Sequence, residues 1–147
     1  MPDLLDAHMH TVASVHAYST IQEMATAGKK RGLKLIGITD HAPAMPGGFH
    51  KMYFCNFKVI PRKAYGIEIR MGTELNIIDY TGSTDLQEKI LRRLDCRRAE
   101  LLVNRARNVD PLAGDADLSR VHERMPRAVL RDPCHVVNIL VDDVRRV

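Results

Sequence analysis

At 147 residues and 16.6 kDa the chain has room for one ordinary domain and not for two independent ones. Apolar residues make up 45% and charged residues 27%, which allows a packed core in a soluble chain. No stretch approaches the roughly 18 uninterrupted apolar residues of a membrane helix, so an integral membrane protein is not expected.

Leu4 to His10 reads as a short strand with Asp6, His8 and His10 on one face at a period of two. A polar loop, Thr11 to Tyr18, leads to two overlapping capping boxes, Ser19-x-x-Gln22 and Thr20-x-x-Glu23, which mark a helix start. Ile21, Met24, Ala25 and Gly28 share one helical face, and Gly32 is a suitable stop. Leu33 to Thr39 is continuous enough to be a buried strand parallel to the first, which makes a βαβ unit with Asp40-His41 at its carboxyl end. Residues 42–63, with Pro43, Pro46, Gly47, Gly48 and Pro61, read mainly as a long loop. Ile67 to Leu75 gives a third strand carrying Glu74 near its end, and Asp79 to Ser83 a turn. Leu86, Ile90, Leu91 and Leu94 support a helix from about residue 86 that runs on as far as Arg105. Val136 to Val141 fits either a buried strand or a helical turn.

The composition breaks near residue 95. Residues 1–90 hold all seven lysines and three arginines, whereas residues 91–147 hold twelve arginines and no lysine. All seven aromatic residues lie at or before Tyr80. Three cysteines, Cys55, Cys96 and Cys134, cannot all pair, and with no basic region and apolar stretch at the amino terminus a reduced, cytoplasmic setting is expected. Nucleic-acid binding through Arg92, Arg93, Arg97 and Arg98 is disfavoured, because acidic residues dilute the segment and no aromatic residue accompanies it.

Three strand ends carry His8-x-His10, Asp40-His41 and Glu74, and the first loop carries His16. Imidazoles and carboxylates are ligands for zinc, manganese or iron, and two histidines two apart on a strand can chelate one ion from a rigid surface. Either histidine could instead be a hydrogen-bonded core residue, so the residue types alone leave both readings open. His50, in the loop after the second strand, is a candidate for the substrate mouth or an exposed histidine without a role.

Asp6-Ala7-His8-Met9-His10-Thr11, Ser14-x-His16-Ala17-Tyr18-Ser19, Ile38-Thr39-Asp40-His41 and Gly72-Thr73-Glu74-Leu75-Asn76-Ile77 closely resemble the PHP (polymerase and histidinol phosphatase) family, and within it the YcdX-type zinc phosphatases. Tyr53-Phe54-x-Asn56-x-x-Val59-Ile60-Pro61-Arg62 is similar to the same group, and the resemblance covers residues 1 to about 95. It implies an α/β fold, the amino-terminal part of a distorted (β/α)7 barrel, with up to three zinc ions (manganese or iron as alternatives) at the mouth. It further implies hydrolysis of small phosphate monoesters. Position by position, His8 and His10 would hold one ion, Glu74 would bridge it to another, and His16 and His41 would hold the remaining one. Asp6 and Asp40 would orient ligand imidazoles.

The family continues with histidines in His-Glu-Pro and His-Pro-Gly contexts and a late Asp-Ser-His, none of which occurs here; His122 and His135 lie in unrelated contexts. The resemblance therefore divides the chain into a partial PHP metallophosphatase domain, 1–95, and an Arg-rich segment, 96–147, either divergent and covering the open sheet edge with helices or, as favoured, read from a shifted frame. Five matched ligands imply incomplete metal occupancy, and the third strand is expected to be left as an unpaired edge. The alternatives to an active phosphatase are an inactive truncated remnant or partner-dependent fragment, and an amidohydrolase-like metal hydrolase.

Overall fold

The structure is a computed structural model that describes residues 5–79, 83–101 and 137–138. The first βαβ unit forms as its pattern dictates. Strand β1 (Leu5–Met9) runs parallel to β2 (Leu35–Ile38), and helix α1 (Ile21–Lys30) connects them. Of the two capping boxes the chain uses the second: the Thr20 hydroxyl accepts from Glu23 N–H, and the Glu23 carboxylate accepts from Thr20 N–H at 2.7 Å. At the other end Gly32 N–H donates to Lys29 O and Leu33 N–H to Gly28 O, a Schellman closure with Gly32 at φ +87°. The buried face of α1, Ala25 and Gly28, lies over Ile36 and Ile67.

The third strand of the sequence reading extends further than expected, as β4 (Ile67–Ile77), parallel to β2 and with every residue from Met71 to Ile77 buried. A short strand β3 (Lys63–Ala64) pairs antiparallel with its start. The expected long loop over 42–63 contains more structure than its prolines and glycines suggested. One helical turn, α2 (Met52–Cys55), runs into a 3-10 turn over Asn56–Val59, because Phe54 and Phe57 insert into the core. The Arg62 guanidinium closes this segment on the Phe57 and Ile60 carbonyls and ion-pairs with Asp95 at 2.5 Å.

After β4 the sequence expectations need correction. The helix expected from residue 86 to Arg105 is a single turn, α3 (Glu88–Leu91), followed by a strand, β5 (Cys96–Leu101). Strand β4 is therefore not an unpaired edge: β5 lies parallel to it, in register from Gly72 with Cys96 to Ile77 with Leu101. Hydrogen bonding decides between helix and strand here. Met71 N–H donates to the Asp95 carboxylate at 2.9 Å, and Asp95 N–H donates to Met71 O at 2.8 Å, which docks the chain on β4 just where the helix would have continued. Satisfying an open row of strand donors and acceptors outweighs a modest helical pattern. Leu86, Ile90, Leu91 and Leu94, read as one helical face, are all buried all the same, on the turn and the connection that lead into β5.

Strand β6 (Val137–Asn138) pairs parallel with β5, so the strand alternative holds for these two residues of the Val136–Val141 stretch. The described strands form an open sheet, β1-β2-β4-β5-β6, with β3 beside β4. It is an α/β arrangement with a parallel sheet, as the resemblance implies. His122, His135 and Cys134 lie outside the described residues. Among the described residues no helix is long and apolar enough to cross a membrane.

Candidate metal centre

Parallel strands end together, so the residues following β1, β2 and the middle of β4 meet at one edge. His8 comes from β1 and His10 just after it, and His41 follows β2. Ala42 N–H donates to Glu74 O at 2.9 Å and Glu74 N–H to Asp40 O at 3.1 Å, which pins His41 beside Glu74. His16 is delivered by the loop between β1 and α1, which Val12 N–H closes on Ser19 O at 2.9 Å.

The structure brings all five candidate ligands together in two groups, His8–His10–Glu74 and His10–His16–His41, with one donor atom from each residue within 4.8 Å of the others in its group. His10 belongs to both. The Glu74 carboxylate is buried, and its Oε2 lies 3.1 Å from His10 Nε2, 3.4 Å from His41 Nδ1 and 3.8 Å from His8 Nε2. Ring nitrogens also face one another: His8 and His10 through Nε2 atoms 3.2 Å apart, His16 and His41 through Nε2 atoms 2.7 Å apart. Between neutral rings such a contact places at most one proton between two lone pairs, and a buried carboxylate beside them requires compensation. A divalent cation meets both demands, and a set of imidazoles with one carboxylate suits zinc, manganese or iron. The residues present fit the metal that the resemblance implies.

The remaining site candidates are placed differently. Asp40 is completely buried, but its carboxylate touches hydroxyls and a backbone amide rather than an imidazole. Oδ1 accepts from Thr11 N–H at 2.7 Å and Ser14 O–H at 2.8 Å, and Oδ2 from Thr11 O–H at 2.8 Å and Tyr53 O–H at 2.7 Å. Asp6 is exposed and accepts from His8 N–H at 3.1 Å, a local backbone contact. His50 is exposed, and its Nδ1 accepts from Met52 N–H at the start of α2. The sequence reading passed over the hydroxyl groups behind the histidines. Thr39 Oγ1 lies 2.8 Å from His8 Nδ1, and Ser14 Oγ lies 2.9 Å from His10 Nδ1, so the far edge of each ring is held while its Nε2 faces the cluster. Within the polar loop Thr11 to Tyr18, only its juxtaposition with Asp40 distinguishes Ser14.

Burial pushes His41 down to about 4 from its ordinary 6.5; Glu74 and Asp40 oppose this, and His10 and His16 add to it. Burial and the adjacent Asp40 carboxylate push the Tyr53 hydroxyl up, so it remains a proton donor. The sign for His41 follows from linkage: below pH 6.5 the unfolded chain takes up a proton that the folded chain refuses. With metal chelated, we expect His41 to contribute a loss of stability as pH falls from about 6.5 to about 4, with no further loss from this group below that. Urea unfolding of wild type and His41→Gln across this range checks it, since the variant should lose that part of the slope.

A model of the PHP domain matches residues 6–130. The chain is 55% identical over 98 residues to a probable phosphatase of Caldanaerobacter subterraneus subsp. tengcongensis, covering 67% of this chain and 39% of that protein. It is 50% identical over 95 residues to a probable phosphatase of Acetivibrio thermocellus, covering 65% and 39%. One from Photobacterium profundum is 47% identical over 95 residues, with the same shares. The matched part thus spans about two fifths of the length of these relatives. With the matched region extending over most of the chain and the strand-end histidines gathered at one sheet edge, the chain belongs to the PHP domain family.

Proposed function

We propose that the chain is a metal-dependent hydrolase of phosphate monoesters, with His8, His10, His16, His41 and Glu74 as metal ligands and zinc as the metal, manganese or iron being the alternatives. The observation that carries this reading is the convergence of four imidazoles and a buried carboxylate from successive strand ends. The names of the relatives, probable phosphatases, support the reaction class. Bound there, divalent ions would neutralise phosphate oxygens and acidify a water for attack on phosphorus.

The chain's own residues divide the remaining work. Glu74 supplies the negative charge at the centre, and Asp40 with its four hydrogen bonds fixes the loop that carries His10 and His16. His16 is exposed and would close the centre from the solvent side. The five ligands among the described residues are few for three ions, since catalytic zinc takes about three protein ligands each, so partial occupancy goes with the reading. A small phosphorylated molecule is the proposed substrate. The free thiol of Cys55 supports a reducing, cytoplasmic setting.

The test is phosphate release from p-nitrophenyl phosphate by the 147-residue chain, stripped with chelator and reloaded in turn with zinc, manganese and iron, with metal content measured on the same samples. Metal-dependent release is the expected result. Bound metal without release under any of the three would leave an inactive remnant, and faster turnover of amides or carboxylic esters would point to an amidohydrolase-like enzyme.

A further inference from the structure

Ser14 sits in the loop between β1 and α1 and is 1% exposed. Its Oγ has three neighbours: Asp40 Oδ1 at 2.8 Å, His10 Nδ1 at 2.9 Å and His41 N–H at 3.2 Å. A hydroxyl carries one proton and two lone pairs. The Asp40 carboxylate only accepts, so the Ser14 proton goes to it. The His41 amide only donates, so it occupies one lone pair. One polarity remains for the third contact: His10 Nδ1–H donates to Ser14 Oγ.

We infer that Ser14 is a positioning residue that selects the His10 tautomer protonated on Nδ1, leaving the Nε2 lone pair aimed at the space bounded by His8 Nε2 and Glu74 Oε2. Asp40 is what gives Ser14 this polarity. Its two oxygens are saturated by Thr11, Ser14 and Tyr53, and Tyr53 is itself held among the rings of Phe49, Phe54 and Phe57. Tyr53 of helix α2 thereby acts on the centre at two removes: Tyr53 holds Asp40, Asp40 takes the serine proton, and the serine orients the ring. The orientation matters because His10 is the residue common to both ligand groups. In the opposite tautomer Nε2 would carry a hydrogen and could not bind a cation.

This inference rests on the metal reading of the cluster, and its test separates the two. A long-range proton–nitrogen correlation spectrum of the labelled, chelator-treated full chain, with His10 identified by its loss in His10→Ala, is expected to show Nδ1 protonated and Nε2 bare. In Ser14→Ala that pattern should dissolve into a tautomer mixture. Zinc affinity, read by competition with a chromophoric chelator, should fall about 10- to 100-fold, the usual effect of removing a partner that orients a ligand. A wild-type His10 protonated on Nε2 overturns the inference whether or not Ser14→Ala folds. An unchanged tautomer together with unchanged affinity in Ser14→Ala also overturns it. A wild-type chain that binds no zinc removes the metal reading, while the spectrum still decides the tautomer.

Discussion

Replacing His10 with alanine should abolish zinc-linked stabilisation of the chain and reduce phosphate release to background. The expectation follows from topology more than from chemistry. His10 is the one residue shared by His8–His10–Glu74 and His10–His16–His41, so its loss leaves two donors in each group. Two donors fall below the three that catalytic zinc ordinarily takes from the protein. The effect should therefore exceed the roughly 10- to 100-fold loss that follows removal of an orienting partner. A direct reading is thermal or denaturant stability with and without zinc. Zinc at about 100 times its Kd should stabilise wild type by about 2.7 kcal/mol, and His10→Ala by little or nothing. His16→Ala makes the contrast, because it spares the His8–His10–Glu74 group and should keep part of the gain. A His10→Ala chain with the full wild-type zinc response would refute the shared-ligand arrangement.

How far the sequence discloses this centre depends on the range of the interaction concerned. The histidines of β1 and of the β2 end are legible because strand geometry is local. Alternate residues share a face, and parallel strands end side by side, so His8, His10, His41 and Glu74 can be placed together before any contact is known. The cap of α1 is equally local, although only the folded chain chooses Thr20 over Ser19. Strand β5 is illegible for the opposite reason. Leu86, Ile90, Leu91 and Leu94 repeat as a helix would, and the force that ends the helix after one turn is a pair of hydrogen bonds between Asp95 and Met71, 24 residues away. The hydroxyls behind the histidines are hidden in the same way. A serine in a polar loop and a tyrosine in a proline-rich connection carry no periodicity, and their roles exist only because Asp40 lies between them. Asp40 itself was expected against an imidazole, and it acts one hydroxyl removed.

Sheet packing and site geometry meet at Gly37. The pairing of β1 with β2 is not uniform: Leu5 and Asp6 lie opposite Leu35 and Ile36, yet Met9 lies opposite Ile38, so β1 accommodates one residue more than β2 between these points. This irregularity contains Ala7 and His8. It brings the Ala7 backbone so close to β2 that a Cβ on Gly37 would stand 2.6 Å from the Ala7 carbonyl oxygen and 2.9 Å from its carbonyl carbon and Cα. Backbone atoms cannot rotate aside as a side chain can, so an alanine there must push β1 away. Gly37→Ala is expected to cost about 3 kcal/mol, at the upper end of ordinary overpacking, and to weaken zinc binding because His8 moves with Ala7. Gly32→Ala separates this effect from a general glycine effect. At φ +87° an alanine is strained, but nothing lies within 4 Å of its Cβ, so it should cost only about 1–2 kcal/mol and leave zinc affinity unchanged. Urea midpoints and zinc competition on the two variants check the pair. Equal losses of stability with equal zinc affinity would mean that the close approach of β1 to β2 does not hold His8 in place.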